Sequence, residues 1–422
     1  MKKAIPFALF LIAMLTVNAQ QVTEDNYTQL RLSFSTPELY ADGVDLCGDK
    51  YLSLSVEGYM PGGQIGAPQV PVLCNLITVP FCNDMEVVVE NAIYDTLHLG
   101  TSLTLQPRQP SRSKSDRSEP VVIIDEAVYS TDAFVGGPVA TVEAIGIARD
   151  RRLAQLTFAP VSVNPVSGDV IVCRKADVTV RYIGADSAAT VNHFRRYHTP
   201  AFSAGNTLNS LLSAKDANHT MPIRMVIVAK NTLRCRHLET FADWKRTQGM
   251  MVDVHYYTWN MQTQTSADIT EEIADYLRDL YDNASDEAPA PTYLLLVGDN
   301  EMLPAFSSKL SSGGWSGPDN DHITDLYFTT WTSGDILPDC YQGRFSATDT
   351  ATVANIVTKT MLYEKYDFTN DDYLARAALI AGVDQTWYTN TNDNGYTYAD
   401  PNMDYAARFY INADHGFDEV TY

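Results

Sequence analysis

The chain has 422 residues, and 45% of them are hydrophobic, enough for two or three folded domains. Its formal net charge of −22 excludes nucleic acid as a partner, because the phosphates would be repelled. None of its six cysteines forms a CxxC pair, so the sequence indicates neither a zinc site nor thioredoxin-like chemistry.

The first 19 residues have the pattern of a secretory signal peptide. Lys2 and Lys3 precede an uncharged apolar run, and Val17-Asn18-Ala19 places small or compact residues at the cleavage positions. The run is too short to cross a bilayer as a stable helix. The pattern predicts export to a secreted or cell-surface location without a membrane span; a buried N-terminal strand is the alternative interpretation.

Residues 20–215, the N-terminal β region, have strand-like periodicity. Short β-branched or alternating runs are separated by turns rich in Pro, Gly and Asn: YLSLSVEGY, EVVVENAIY, VVIIDEAVY, ARDRRLAQLTFAPVSV and GDVIVCRKADVTVRYIG. Many strands with almost no helical period predict an all-β sandwich or barrel.

One polar stretch interrupts this region. Residues 106–120, QPRQPSRSKSDRSEP, are rich in Pro and Ser and locally basic, with Arg112, Lys114 and Arg117 close together. Two interpretations are open: a solvated flexible linker, or an inhibitory or processing loop.

From residue 216 onward, in the α/β region, strands and helices alternate. Apolar strands are predicted to end near Ala229, at Tyr256 and before Asp299, and amphipathic helices to lie between them. Thr265 and Asp268 have the spacing of a capping box. Apolar strands alternating with helices predict a mainly parallel sheet covered on both faces.

Two aspartates follow predicted parallel strands. Asp299 ends LLLVGD, and Asp384 ends ALIAGVD. Side chains just beyond the carboxyl ends of such strands are expected to bind ligands or take part in catalysis. A loop aspartate that caps the next helix is the alternative for each.

The stretch from 331 to 339 is rich in oxygen donors. Ser333, Asp335 and Asp339, with the carbonyl of Leu337, lie at odd-numbered spacing around a glycine. Hard oxygen donors on a tight turn suit Ca²⁺, which accepts six to eight oxygens in loose geometry. The sequence predicts a calcium loop, and a plain surface turn is the alternative.

The remaining candidates for catalysis are less convincing. His415-Gly416 precedes its strand, so we interpret His415 as a helix cap rather than a catalytic base. Neither Cys235 nor Cys340 follows a strand or has a neighbouring base, which favours structural roles. The sequence contains no P-loop, GxGxxG, HExxH or GxSxG motif.

Several long motifs resemble the gingipains, the family C25 cysteine peptidases. They are LLLVGD, ITDLYFTT, SGDILPD, ALIAGVDQTW and ARFYINADHGFDEV in the α/β region, and GGQIGAPQVPVLCNLITVP, QPSRSKSD and RLAQLTFAPVSVNPVSGDVIV before it. The resemblance covers almost the whole chain after the signal. It implies a secreted zymogen with a β-rich inhibitory prodomain before a caspase-like domain that cleaves after Lys or Arg.

The resemblance also implies roles for individual residues. Asp384 matches the aspartate that orients the catalytic histidine, and Asp299, Asp335, the Leu337 carbonyl and Asp339 match calcium ligands of lysine-specific members. Ser333 replaces an aspartate there, which bears on the affinity of the site. Lys114 is the candidate inhibitory residue and Lys215 the candidate release site.

The family's catalytic His and Cys motifs are absent from the sequence, so we expect this dyad beyond Tyr422. The expected organisation is a signal peptide (1–19), a propeptide (20–215), a first catalytic subdomain (216–370) and the start of a second, incomplete one (371–422). The predicted partners are protein or peptide substrates with Lys or Arg, and the prodomain for its own catalytic domain. Two other interpretations stay open: a non-catalytic adhesin on this scaffold, and a surface peptidase like the type IX sortase.

Overall fold

The computed structural model describes residues 20–100, 103–111, 121–211, 220–308, 322–332, 334–381 and 399–421. The chain divides into two compact units, one reaching to Thr350 and the other from Ala351 to Tyr422. The predicted boundary at 215 therefore falls inside the first unit.

The N-terminal β region contains twelve described strands and two short helices. The strands are β1 (Gln20–Asp25), β2 (Gln29–Ser35), β3 (Leu39–Leu46), β4 (Asp49–Val56), β5 (Met60–Gly62), β6 (Val70–Val79), β7 (Asp84–His98), β8 (Thr104–Leu105), β9 (Ala140–Ala148), β10 (Arg151–Phe158), β11 (Val161–Val163) and β12 (Asp169–Ile183). The helices are α1 (Glu126–Tyr129) and α2 (Ser187–Tyr197).

Two antiparallel sheets form the main body of this region. The first has the order β1-β2-β12-β11, with β7 also paired to β12, and the second has the order β5-β6-β10-β9. A smaller sheet has the order β3-β4-β8. The predicted all-β sandwich is confirmed.

Alternating side chains build the core between the two sheets. Leu30, Leu32 and Phe34 on β2 are fully or almost fully buried, and Phe34 stacks on Phe158 of β10 with ring centroids 4.4 Å apart. A period of two places every second side chain of each strand in this core.

One predicted strand is wrong. The run VVIIDEAVY does not join a sheet: α1 occupies its second half, and Val121 is 80% exposed. The side chain of Asp125 accepts hydrogen bonds from the amides of Ala127 and Val128, which starts a helical turn. Capping chemistry prevails over β-propensity here because the run has no partner strand.

The α/β region begins with a four-stranded parallel sheet. Its strands are β13 (Arg224–Lys230), β14 (Met251–Tyr257), β15 (Tyr293–Val297) and β18 (Tyr341–Phe345), in the order β14-β13-β15-β18. A two-stranded ribbon of β16 (Phe306–Ser308) and β17 (His322–Thr324) lies outside it. The predicted parallel sheet is confirmed.

The helices α3 (Arg236–Thr247) and α4 (Ser266–Asp282) connect these strands. The predicted capping box is present: the Thr265 hydroxyl accepts from the amide of Asp268, and the Asp268 carboxylate accepts from the amide of Thr265. The stripe of α4, including Ile269, Ile273 and Leu277, is fully buried in the core of the α/β region.

The second unit contains α5 (Thr350–Lys365), β19 (Arg376–Ala378), α6 (Ala399–Phe409) and β20 (Glu419–Thr421), and β19 pairs with β20 in parallel. The buried strand predicted in ALIAGVD, before Asp384, has three residues in the described part of the chain (β19), and Ile380 after it is 84% exposed.

Candidate functional site

The carboxyl edge of the parallel sheet carries Asp299. This residue follows β15, and its amide donates to the carbonyl of Ala347 at 2.9 Å. A pocket of about 200 Å³ opens beside it. Its polar lining consists of Asp299, Asn300, Thr324, Asp325, Arg344 and Ser346.

Arg344 fixes the loops around this pocket. Its Nε and Nη2 bind the two oxygens of Asp325 at 2.8 and 2.6 Å, and its Nη1 donates to the carbonyls of Gly298 and Leu303 at 2.7 and 2.8 Å. A two-pronged pair of this kind holds its partners in one orientation. Gly298, the residue before Asp299, is thereby fixed at the edge where ligands of parallel sheets bind.

Three of the other predicted calcium residues lie at the opposite edge. Asp335, Leu337 and Asp339 precede β18, whose first and last residues pair with the first and last residues of β15. Asp339 is therefore separated from Asp299 by the length of a five-residue strand, at least about 15 Å at ~3.3 Å per residue. Among the described residues, the structure therefore does not bring Asp299 together with Asp335 and Asp339 in one site.

Both carboxylates at this amino edge contact the turn between β9 and β10. The Oδ2 atom of Asp335 accepts from the amide of Ile147 at 2.8 Å, and Oδ1 of Asp339 accepts from the amide of Arg149 at 2.6 Å. Within the loop, Oδ1 of Asp335 accepts from the amide of Leu337 at 3.0 Å. Oδ2 of Asp339 accepts from the amides of Trp331 and Thr332 at 2.9 and 3.2 Å.

These hydrogen bonds occupy every carboxylate oxygen of the loop. Asp339 is fully buried, and burial raises its pKa to about 6 although the three amides oppose the shift. No cluster of three or more His, Cys, Asp or Glu residues suited to a metal occurs in the described part of the chain. With the β9–β10 hairpin in place, a cation at Asp335 and Asp339 would have to share these oxygens with the amides or displace them.

Four predicted site residues lie outside the described residues: Ser333, Asp384, Lys114 and Lys215. The structure therefore does not test the orienting, inhibitory and release roles predicted for the last three.

Cys235 and Cys340, for which the sequence favours structural roles, both lie in secondary-structure elements or beside them. Cys340 is buried, its Sγ lies 3.3 Å from the carbonyl of Tyr341, and burial raises the pKa of the thiol. A thiol held in its protonated form is a poor nucleophile. Cys235 occupies the N-cap position of α3.

His415 has the predicted cap geometry. It ends a single helical turn, its Nδ1 lies 2.9 Å from Oδ1 of Asn412, and Gly416 follows with a left-handed φ of 85°. In this arrangement Gly416 caps the carboxyl end of the helical turn, and its amide donates to the carbonyl of Ala413.

The residue that sequence reasoning missed is Arg149. It lies in the β9–β10 turn of the N-terminal β region, yet it is fully buried and contacts the α/β region. The only signal in the sequence is its place in ARDR, where it looks like an ordinary polar hairpin turn.

Comparisons with known proteins agree with the resemblance seen in the motifs. Residues 19–195 match the family model Propeptide_C25, and residues 218–419 match the model of peptidase family C25. None of the described helices is long and apolar enough to cross a membrane.

Among individual relatives, Lys-gingipain of Porphyromonas gingivalis (strain ATCC 33277) is 30% identical over 408 residues, which are 94% of this chain and 22% of that protein. Gingipain R2 of the same species (strain W83) is 22% identical over 326 residues, 76% of this chain and 41% of that protein. A solved structure concerned with the zymogenic latency of gingipain K is 33% identical, covering 39% of this chain and 93% of that one, with a TM-score of 0.37. The chain thus spans less than a quarter of the first relative's length.

Proposed function

Because the chain belongs to peptidase family C25, we propose that it is an exported precursor of a gingipain-like cysteine endopeptidase. Residues 20–215 act as its inhibitory propeptide, and residue 216 starts the peptidase domain. The observation that carries this proposal is the β9–β10 turn, whose amides bind both carboxylates of the 335–339 loop.

Further contacts between the two regions support the same organisation. Tyr197 of α2 stacks on Tyr281 of α4 with ring centroids 4.2 Å apart. The Nε of Arg196 donates to the carbonyl of Ala284 at 3.2 Å. Both tyrosines are buried, and buried aromatic contacts of this kind are typical of the energetically important part of an interface.

The proposed substrates are proteins and peptides with Lys or Arg before the cleaved bond, in line with the names of the relatives. We propose that Lys114 mimics such a residue and blocks the cleft, and that cleavage after Lys215 releases the propeptide. Asp384 would hold the catalytic histidine in the correct tautomer. All three roles rest on the sequence and the resemblance.

We propose that calcium binds the 335–339 loop only after the β9–β10 turn has dissociated from it. In that state one oxygen of Asp335 and one of Asp339 no longer accept hydrogen bonds from the amides of Ile147 and Arg149. Carboxylate and carbonyl oxygens, including that of Leu337, are the donors that Ca²⁺ prefers. Asp299 would belong to a separate site.

The test measures inhibition of a mature Lys-gingipain by residues 20–215, which have a core of their own. We expect inhibition, and we expect Lys114→Ala to raise the inhibition constant at least tenfold, equivalent to about 1.4 kcal/mol. Lys50→Ala, at an exposed lysine of the same region, is the matched control.

Two outcomes would count against the proposal. Unchanged inhibition by the triple variant Arg112→Ala, Lys114→Ala, Arg117→Ala would leave the loop as a linker. No inhibition by the unsubstituted region would contradict the propeptide role and favour the adhesin alternative.

A further inference from the structure

Arg149 has an unfavourable backbone conformation for its residue type. It is the first of two residues joining β9 and β10, and its φ is 53°, in the left-handed region. A residue with a Cβ loses about 1–2 kcal/mol there, whereas glycine does not. Strain of this kind is usually retained where the side chain has a function.

The side chain is fully buried against main-chain oxygens. In the α/β region, Nη1 donates to the carbonyls of Pro291 and Asp339 at 2.5 and 3.1 Å, and Nη2 donates to that of Ala290 at 3.2 Å. In its own region, Nε donates to the carbonyl of Tyr197 at 2.8 Å. The planar fork of the guanidinium thus contacts the α/β region on two of its three nitrogens.

The acceptors belong to a rigid part of the α/β region. Ala290 and Pro291 lie just before β15, and Asp339 lies just before β18. Three backbone hydrogen bonds fix these segments. The amide of Thr292 donates to the carbonyl of Arg224 at 2.7 Å, that of Tyr341 to the carbonyl of Thr292 at 3.0 Å, and that of Asp339 to the carbonyl of Thr329 at 2.8 Å. The sheet itself therefore positions the carbonyls to converge on one point.

Aromatic rings and a hydroxyl complete the surroundings of Arg149. The guanidinium carbon lies 5.7 Å from the centre of the Phe202 ring, and the hydroxyl of Tyr281 donates to the Arg149 carbonyl at 3.2 Å. A buried cation is stable only where such partners replace its water. A lysine, with a single nitrogen, would not reach the carbonyls on both sides.

We propose that the amino edge of the parallel sheet is a guanidinium-binding site formed by the carbonyls of Ala290, Pro291 and Asp339. Arg149 is its ligand, and this contact is the main anchor of the N-terminal β region on the α/β region. Calling that region a propeptide rests on the proposed function, but the site can be tested without any activity.

The test uses the whole chain and the variant Arg149→Gly, because glycine suits the left-handed turn and lets the hairpin form. Hydrogen–deuterium exchange is followed at the amides of Ile147, Trp331 and Thr332, which are bonded across or within this contact. We expect exchange at least tenfold faster than in the unsubstituted chain. Arg181→Ala, at an exposed arginine of β12, should leave it unchanged.

Chemical rescue identifies the ligand class. Methylguanidinium chloride added to Arg149→Gly should restore slow exchange, and methylammonium chloride at equal ionic strength should not. Arg149→Lys keeps the charge without the fork, and should exchange as fast as Arg149→Gly.

Four results would overturn the proposal. Unchanged exchange in Arg149→Gly would show that Arg149 is not an anchor. Full protection in Arg149→Lys, or no rescue by methylguanidinium, would show that the site does not recognise a guanidinium. An equal rise at Val226 and Ile227 in the central strand β13 would indicate general destabilisation instead. A chain that fails as a propeptide but passes this test would separate the two proposals.

Discussion

Gly146 offers the simplest test of the contact between the β9–β10 hairpin and the 335–339 loop. It lies on β9 opposite Leu153, and a Cβ added to it would lie 2.6 Å from Cβ, Cγ and Oδ2 of Asp335. Real Cβ atoms essentially never approach another atom below 3.0 Å. Gly146→Ala must therefore displace the Asp335 side chain.

The displacement breaks the bond from the Ile147 amide to Oδ2 of Asp335, which is 2.8 Å long. A hydrogen bond to a charged group contributes about 1.5–3 kcal/mol. Gly146 also has a φ of 157°, a conformation that residues with a side chain rarely adopt, so alanine adds backbone strain to this loss. We expect the free energy of unfolding to fall by at least about 1.5–3 kcal/mol, measured by urea unfolding with circular dichroism.

Two further variants make this prediction refutable. Gly137→Ala is the matched control, because an added Cβ there meets nothing within 4 Å, and it should leave stability unchanged or slightly raised. In an Asp335→Gly background the Cβ at position 335 is also absent and the clash is gone, so Gly146→Ala should cost clearly less than in the unsubstituted chain. An unchanged stability in the single variant, or an equal loss in both backgrounds, would refute the reasoning.

Three more predictions concern Cys340, the carboxylates of the 335–339 loop and His193. The 422-residue polypeptide should cleave no Lys or Arg substrate, because Cys340 is buried with a raised pKa; thiol-dependent cleavage lost in Cys340→Ala would contradict this. Millimolar calcium should leave the melting temperature of the whole chain unchanged, because Asp335 and Asp339 are already bonded to amides; a rise abolished by Asp335→Asn would show that calcium displaces the turn. Burial lowers the pKa of His193 below its ordinary 6.5, although the Arg149 carbonyl and Asp150 oppose the shift and Arg196 adds to it. Below this pH the folded state therefore binds fewer protons at His193 than the unfolded state does. The free energy of unfolding decreases as the pH falls below about 6.5. His193→Gln should reduce this loss, measured as the difference in unfolding free energy between pH 7 and pH 5.

The sequence was sufficient for elements whose signals are local. The apolar strand that ends near Ala229, the one before Asp299 and the capping box at Thr265 all occur where their patterns place them. Period and capping depend on neighbours a few residues away, so they can be predicted without knowledge of the fold.

Features that depend on distant partners could not be predicted in this way. The run VVIIDEAVY has strand composition but no partner strand, and α1 forms instead. Arg149 acquires its role from Ala290 and Pro291, residues 141 and 142 positions away along the chain. Asp335 and Asp339 were predicted as calcium ligands from the spacing of their oxygens. In the structure, oxygens of both aspartates accept hydrogen bonds from amides of the N-terminal β region. The sequence alone does not show whether such oxygens bind distant amides or a cation.

The central claim is that the N-terminal β region is a separate propeptide bound to the α/β region by non-covalent contacts. The most direct measurement places a recognition sequence for a site-specific protease at Lys215, cuts the folded chain there, and applies it to a gel-filtration column at micromolar concentration. The account predicts that the two fragments elute together in one peak. Two separate peaks, each still folded by circular dichroism, would contradict it.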